Sequence, residues 1–466
     1  MEDDRIISML TLMENQVIRY IDLFAGMGGF RKGFEAAVKK KGLQAKCVFT
    51  SEIKPSAVKF YSDNFDQIDY EDITKVEAGS IPEFDVLLAG FPCQAFSSAG
   101  KREGFLDTRG TLFFDIERIL KEHRPKGFIL ENVEGLVNHD KKEKHKLIGQ
   151  TLETILSALE NLGYKTTWKV LDSSHFGLAQ QRKRIFIVGT LEYKVSLEGF
   201  KKKSVTLDEI LERNLPTENS KTIDLLLKNY QLKDLPGKSL KDKRGGSNNI
   251  HSWEIELKGK TTKEQRLLLN ELLKARRNKK WGQQKGITWM DGMPLTITEI
   301  ETFYRHPKLE ENLEDLVAKG YLVFEHPKDL VIVGTGSNKK SVRAMREDLP
   351  KGYNIVAGKL SFEISKILDP NGVTPTLVAT DLDRMMVIEK EGLRRLSVVE
   401  MLRLFGFEDS MKVDMKRTEI VDLLGNSVPV NIVESVSERL LSLIINPLEF
   451  ENFIERAIDV KQEALF

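Results

Sequence analysis

Over its first 190 residues the chain alternates short apolar runs with amphipathic stretches, and this rhythm limits the possible folds more than any other feature. VIRYIDLFAG, KCVFTSEI, FDVLLAGFP, GFILENV and RIFIVGT have strand length; FRKGFEAAVKKKG, SAVKFYSDNF, TLFFDIERILKEH and KLIGQTLETILSALENLG have helical length and spacing. Runs of five or six apolar residues suit strands covered on both faces, and a helix between successive strands returns the chain to run parallel. The alternation predicts an α/β domain over 16–190, a doubly wound and mostly parallel sheet whose ligands bind beyond the carboxyl ends of the strands. From 191 to 394 the alternation gives way to lysine-rich, glycine-punctuated segments such as KDKRGGSNN and KGKTTKEQ, which predicts a second, smaller mixed domain. Inside it, PLTITEI opens a helix with a capping box from Thr296 to Glu299, and a helix around LEENLEDLVAKG runs into YLVFEHP. The stretch 294–335 therefore reads as a winged-helix-like element or as a plain helical hairpin. In the C-terminal segment, 395–466, RRLSVVEMLRLFGF and LLGNSVPVNIVESVSERLLSLI read as amphipathic helices.

Bulk composition narrows the function classes. At 466 residues, 41% hydrophobic and 30% charged, the chain is a two-domain globular protein, and no apolar stretch reaches the roughly 20 residues of a membrane span. The start, MEDDRIISMLTLMENQ, has acids where a secretory signal has basic residues, so a cytoplasmic protein is expected. Two cysteines, Cys47 and Cys93, cannot build a disulfide framework or a four-cysteine zinc site, and no metal is expected. Net charge is only +1, yet between Lys238 and Lys285 fourteen Lys and Arg face five Asp and Glu. Such a run is a solvated helix face or a phosphate-binding surface.

The residues that follow each apolar run carry the chemistry. After Tyr20-Ile-Asp-Leu comes Phe24-Ala-Gly-Met-Gly-Gly-Phe, where Gly26, Gly28 and Gly29 let backbone approach a ligand at a helix N-terminus. Glu52 ends the next run 24 positions after Gly28, where an acid can hold ribose hydroxyls; Asp72, one unit further, suits an adenine amino group. An adenosine ligand fits, whether of a nicotinamide cofactor or of S-adenosylmethionine. Cys47 sits inside an apolar strand and reads as a small buried hydrophobe. Cys93 lies past a strand end in Phe91-Pro-Cys-Gln-Ala-Phe-Ser-Ser-Ala-Gly, a loop in which a thiol can ionise and act as a nucleophile. The next strand delivers Glu131-Asn-Val at its own end, and Gln180, Arg182 and Arg184 alternate ahead of IFIVG, a period of two that aims both guanidiniums the same way.

Taken in order, FAGMGG, the ribose acid, PCQ, ENV and QxRxR resemble the bacterial-type DNA (cytosine-5-)-methyltransferases. Also similar are Gly110-Thr-Leu-Phe-Phe-Asp, the RRLSVVEMLRLFGF helix and Leu424-Gly-Asn-Ser-Val, whose helix in the family packs back onto the cofactor domain. The resemblance covers roughly 16–190 and 395–440. It implies the S-adenosylmethionine-dependent methyltransferase fold with 191–394 as target-recognition domain, double-stranded DNA as substrate, and S-adenosylmethionine as methyl donor. The thiolate of Cys93 adds to carbon 6 of a flipped-out cytosine, so that carbon 5 becomes nucleophilic enough to accept the methyl group. Glu131 serves N3 and the exocyclic amine, which requires a raised pKa. Arg182 binds the base carbonyl or the Cys93 loop backbone, and Arg184 orients Glu131. The resemblance places Phe24, Glu52, Ile53, Asp72, Ile73, Pro92, Leu112, Asn426 and Val428 in the cofactor pocket. It makes 94–109 a loop that closes on DNA, with Gln94 and Ser97 near the gap or the phosphates and Gly110 as hinge. Thr374-Pro-Thr-Leu-Val-Ala looks like the family's Thr-Leu element near the flipped base, with Thr376 as a DNA contact. The implied setting is a monomer that protects host DNA beside a separately encoded restriction endonuclease.

Rivals explain less. A transfer-RNA cytosine methyltransferase shares the motifs but has a short recognition region, unlike the roughly 200 residues here. A nicotinamide-dependent oxidoreductase leaves PCQ and ENV unexplained. A non-catalytic DNA-binding regulator has no need of an intact set of catalytic positions.

Overall fold

The computed structural model describes residues 17–65, 72–92, 112–141, 143, 145–288, 292–333, 340–356 and 362–445. The chain divides into two compact units. The first holds Met1–Glu212, Pro370–Asp383 and Ser397–Phe466, and the second Arg213–Asp369 and Arg384–Leu396.

In the first unit β1 (Val17–Leu23), β2 (Gln44–Ser51), β3 (Val86–Gly90), β4 (Gly127–Val133), β5 (Lys165–Asp172) and β6 (Lys183–Thr190) form one sheet in the order β2-β1-β3-β4-β6-β5. β2, β1, β3 and β4 run parallel, and β6 runs antiparallel to both neighbours. This is the mostly parallel α/β sheet predicted from the alternation. Side chains at period two divide its core into two layers. Ile21, Leu87, Phe128, Leu130 and Ile187 pack against α3 (Leu112–His123) and α4 (Gln150–Asn161). The intervening Tyr20, Leu88, Ile129 and Phe186 pack on the other face, against Phe34 and Val38 of α1 (Gly29–Lys40). Helix α2 (Pro55–Asn64) follows β2. The chain leaves β1 outward to β2 and returns across β1 to β3, so strand order reverses between β1 and β3. The crevice at their carboxyl ends is where such a sheet binds ligands.

Two parts of this unit differ from the sequence reading. β5 was not among the apolar runs, because as an edge strand KTTWKVLD is only half covered and needs no continuous apolar surface. The segment read as one helix from LLGNSV onward is two. Residues Val398–Phe405 form α5, opened by the Ser397 and Glu400 capping box and closed by left-handed Gly406; α6 spans Arg417–Asn426, and α7 spans Val430–Ile445. Pro429 cannot continue α6 and leaves a turn at Ser427-Val428. Helix α7 lies directly on α1: a Cβ on Gly33 would come within 2.6 Å of Val433 Cβ and 2.7 Å of the Val430 carbonyl, so glycine sets how closely the helices approach.

The strands of the second unit are β7 (Ser239–Leu240), β8 (Asn249–Ile250), β9 (Leu322–Glu325), β10 (Lys328–Val333), β11 (Lys340–Met345), β12 (Gly352–Ile355), β13 (Lys366–Ile367), β14 (Met385–Glu389) and β15 (Gly392–Arg395). β15-β14-β13-β7-β8 make one sheet, β9 pairs with β12, and β10 pairs with β11 in a separate antiparallel ribbon. Helices Ile297–Glu301, with the predicted Thr296 and Glu299 capping box, and Leu309–Ala318 precede β9 and share a core with Trp253, Leu272 and Tyr353. The basic run of this unit is partly structural: Arg276 is buried, donating to Asn354 Oδ1 at 2.7 Å, and Lys285 pairs with Glu299 at 2.8 Å. Among the described residues no helix is long and apolar enough to cross a membrane.

Candidate active site

At the reversal between β1 and β3 the first unit encloses a cavity of about 450 Å³. Its floor is the turn after β1, where Phe24, Gly26 and Gly28 all have positive φ and deliver the chain into α1. Gly26 lines the cavity, and a Cβ built there would meet nothing nearer than the Phe24 carbonyl at 3.9 Å. Gly29 also lines it and is needed for a different reason, since a Cβ would lie 2.8 Å from Val428 Cγ1. Gly28 stands apart from the lining: its φ of 76° and the Phe65 ring, 2.4 Å from where a Cβ would lie, account for the glycine. Glu52, at the end of β2, accepts from Gly26 N at 2.9 Å through one oxygen, and from Ile53 N and Lys54 N through the other. A carboxylate has about four lone-pair positions, so three such bonds leave room for a hydroxyl. Asp72 accepts from Thr74 N and Oγ1, bonds that hold its carboxyl below the usual range and keep it ionised.

The opposite wall comes from β3 and β4. Phe91 and Pro92 follow β3 and line the cavity, as do Ile53, Ile73, Leu112, Asn426 and Val428. Glu131 sits in β4 opposite Gly90, and its Oε1 lies 2.9 Å from Arg184 Nε. Burial pushes the Glu131 carboxyl above its ordinary pKa, while Arg184 and then Arg182 pull it down. Val133 and Arg184 also line a second cavity of about 330 Å³ with Glu134, Gln181, Lys183 and Thr376. Val133 and Arg184 therefore stand where the two spaces meet, and Glu131 faces the larger one. Of the predicted residues, Cys93, Gln94, Ser97 and Gly110 lie outside the described residues; Thr376 does not, and its hydroxyl donates to the Gln181 carbonyl at 2.7 Å.

The sequence model of the C-5 cytosine-specific DNA methylases matches residues 18–442. The chain belongs to that family. Its activity class is accordingly DNA (cytosine-5-)-methyltransferase, and its sheet is that of the S-adenosylmethionine-dependent methyltransferases. Type II methyltransferase M.NlaIV of Neisseria lactamica is 57% identical over 427 residues, 91% of this chain and 99% of the relative. M.NgoBV of Neisseria gonorrhoeae is 56% identical over the same shares. M.BanI of Aneurinibacillus aneurinilyticus is 40% identical over 458 residues, 92% of this chain and 97% of that one.

In this methyltransferase two supporting residues escaped the sequence reading in whole or in part. Asn132, 1% exposed, donates to the Phe91 carbonyl at 3.3 Å while its Oδ1 accepts from Val133 N, which ties the end of β4 to the residue that precedes Pro92. Arg182 has partners other than those implied by the resemblance. Its guanidinium, 1% exposed, donates to the carbonyls of Leu377, Gly425 and Ser427 at 2.9, 2.9 and 2.8 Å and lies over the Phe405 ring. Arg182, just before β6, and Arg184, within it, both line the larger cavity, as their period of two predicts, and Arg182 is in addition held by these carbonyls. Gln180 joins the same knot, accepting from Leu377 N and donating to the Leu404 carbonyl.

Proposed function

We propose that this enzyme transfers a methyl group to carbon 5 of a cytosine flipped out of double-stranded DNA within a specific short sequence, through a covalent adduct of Cys93 at carbon 6. The observation that supports it most is the Glu131–Arg184 pair at 2.9 Å, with Glu131 and Pro92 on the larger cavity and Arg184 on both. The larger cavity, with its glycine turn, the acids Glu52 and Asp72 and apolar walls of Phe24, Ile53, Ile73, Leu112 and Val428, has the size and donor set for an adenosyl amino acid. When bound there, S-adenosylmethionine supplies an electrophilic methyl group.

The remaining work belongs to the chain. Cys93, as thiolate, adds to carbon 6 and places electron density on carbon 5; once carbon 5 has taken the methyl group, loss of its proton to water expels the Cys93 thiolate and restores the ring. Glu131, its carboxyl pushed above its ordinary pKa by burial, holds a proton toward N3 as that ring nitrogen gains charge. Arg184 fixes Glu131 through Oε1, and Arg182, on the wall of the same cavity, positions the 374–377 and 425–428 segments. Gln94, Ser97 and Thr376 contact the DNA around the extruded nucleotide. We infer a cytoplasmic monomer, since one copy can serve hemimethylated and unmethylated sites alike, working beside a separately encoded restriction endonuclease, as the Type II designation of its relatives suggests.

The test is base-resolution mapping of 5-methylcytosine in unmethylated plasmid after incubation with the purified protein and S-adenosylmethionine. Methylation at one cytosine of a recurring short sequence, lost in Cys93→Ser with DNA binding retained, is expected. Methylation confined to transfer RNA, or undiminished transfer by Cys93→Ser, would overturn the proposal.

A further inference from the structure

The larger cavity takes its walls from stretches of chain far apart in sequence. Glu52, Ile53, Lys54 and Ala57 follow β2 into α2, whereas Leu423 and Asn426 belong to α6. Lys54 joins them. Its backbone N donates to Glu52 Oε1 at 2.8 Å, which helps to hold the acid expected to meet ribose hydroxyls. Its ammonium pairs with the Asp422 carboxylate, 368 positions along the chain, and the Asp422 carbonyl in turn accepts from Asn426 Nδ2 at 2.8 Å. Pro55 follows at the first position of α2, where its ring fixes φ, so the backbone that carries Lys54 enters the helix in a set direction.

Exposure separates the ties between α2 and the C-terminal segment that matter from those that do not. Lys59, further along α2, also reaches that segment, but its partner Asp414 is 93% exposed, and a pair so open to solvent contributes little. At the far end of α2, Asn64 pairs with residue 412 as a strand edge would: its Nδ2 donates to the Lys412 carbonyl at 2.9 Å, and its Oδ1 accepts from Lys412 N at 2.7 Å. At the end beside the cavity the polar tie is the Lys54–Asp422 pair, whose side chains are 39 and 46% exposed. A lysine that lines the cavity and still meets solvent stands at its rim.

We propose that Lys54 is a positioning residue for S-adenosylmethionine: through Asp422 it holds α6 against the end of β2, so that Glu52 and Asn426 face the cofactor together. The inference rests on the reading of this cavity as the S-adenosylmethionine site. Its test is a double-mutant cycle on the full-length protein, with S-adenosylhomocysteine affinity measured by titration calorimetry for the wild type, Lys54→Met, Asp422→Asn and the two combined. Each single substitution is expected to raise the dissociation constant about 2- to 5-fold, the range for a half-exposed ion pair, and the double variant to bind no more weakly than either single one. Lys54→Arg, which keeps the charge, should bind within about twofold of wild type, and Lys54→Met should raise KM for S-adenosylmethionine with kcat changed by less than about twofold. A wild type that does not bind S-adenosylhomocysteine would overturn the reading of the cavity. With a wild type that binds, unchanged affinity in both single variants overturns the present inference. So does a double variant whose loss is the product of the two single losses, since Lys54 would then act independently of Asp422.

Discussion

Replacing Arg182 with methionine keeps much of the side chain's volume and removes its charge and donors. In the native protein the guanidinium makes three bonds of 2.8–2.9 Å to carbonyls from two separate segments, with almost no exposure to water. Bonds from a charged donor contribute about 1.5–3 kcal/mol each, but the dehydrated cation offsets a large part of that sum. Breaking such a buried charged contact costs about 3–5 kcal/mol, because the partners stay buried without a donor. At about 2 °C per kcal/mol for a unit approaching 300 residues, calorimetry on Arg182→Met should show melting lowered by about 6–10 °C. Asn426 and Val428, which flank Ser427, line the larger cavity, so S-adenosylhomocysteine affinity should fall with stability when measured by titration calorimetry. Arg182→Lys, which keeps charge but can reach fewer carbonyls, should recover only part of both. A variant that melts within about 2 °C of wild type, binds the cofactor product normally and still loses kcat would refute this reasoning and return Arg182 to direct contact with the base.

Other perturbations test neighbouring parts of the argument. Glu131→Gln should lower kcat by about 10²–10⁴-fold with cofactor-product binding unchanged, since it preserves shape but cannot deliver a proton. The protonated Glu131 is the active form, so kcat declines as pH rises through its raised pKa. Arg184→Met, which removes the larger of the two cationic influences lowering that pKa, should shift the decline to higher pH in a pH–kcat profile; a shift downward would contradict the role. Gly33→Ala should lower stability by about 1–3 kcal/mol, because the added methyl meets the α7 backbone at Val430, and chemical denaturation would measure it. Asp22 is wholly buried, and burial holds its carboxyl far above the usual range. The folded state thus keeps a proton that the unfolded chain releases near pH 4, so the stability associated with Asp22 is full below that pH and is lost as pH rises. Asp22→Asn should match wild type at pH 4 and melt higher at pH 8; a lower melting point at pH 8 would sink the assignment.

What the sequence made legible follows from how each element is covered. β1, β3 and β4 have helices on both faces, and their mainly apolar runs announce them; β5 has a free edge, and its lysines and threonines conceal it. Glu52, Asp72 and Glu131 were found because a parallel sheet gathers the residues after its strands on one side, so position in the alternation substitutes for knowledge of distance. No such rule reaches Arg182, whose carbonyl partners lie 195 to 245 positions away, or the bond from Asn132 to Phe91, 41 positions back. A backbone carbonyl carries no residue identity, so contacts of this kind leave no pattern to read. The ribbon shows the opposite failure. Leu330-Val-Ile-Val has the composition of a buried strand, and only its pairing with β11 shows that neither face is covered. Hydrophobic composition therefore identifies the catalytic core correctly and misreads the ribbon for the same physical reason: it reports that a surface needs cover, and says nothing of whether the cover is the chain itself or its partner.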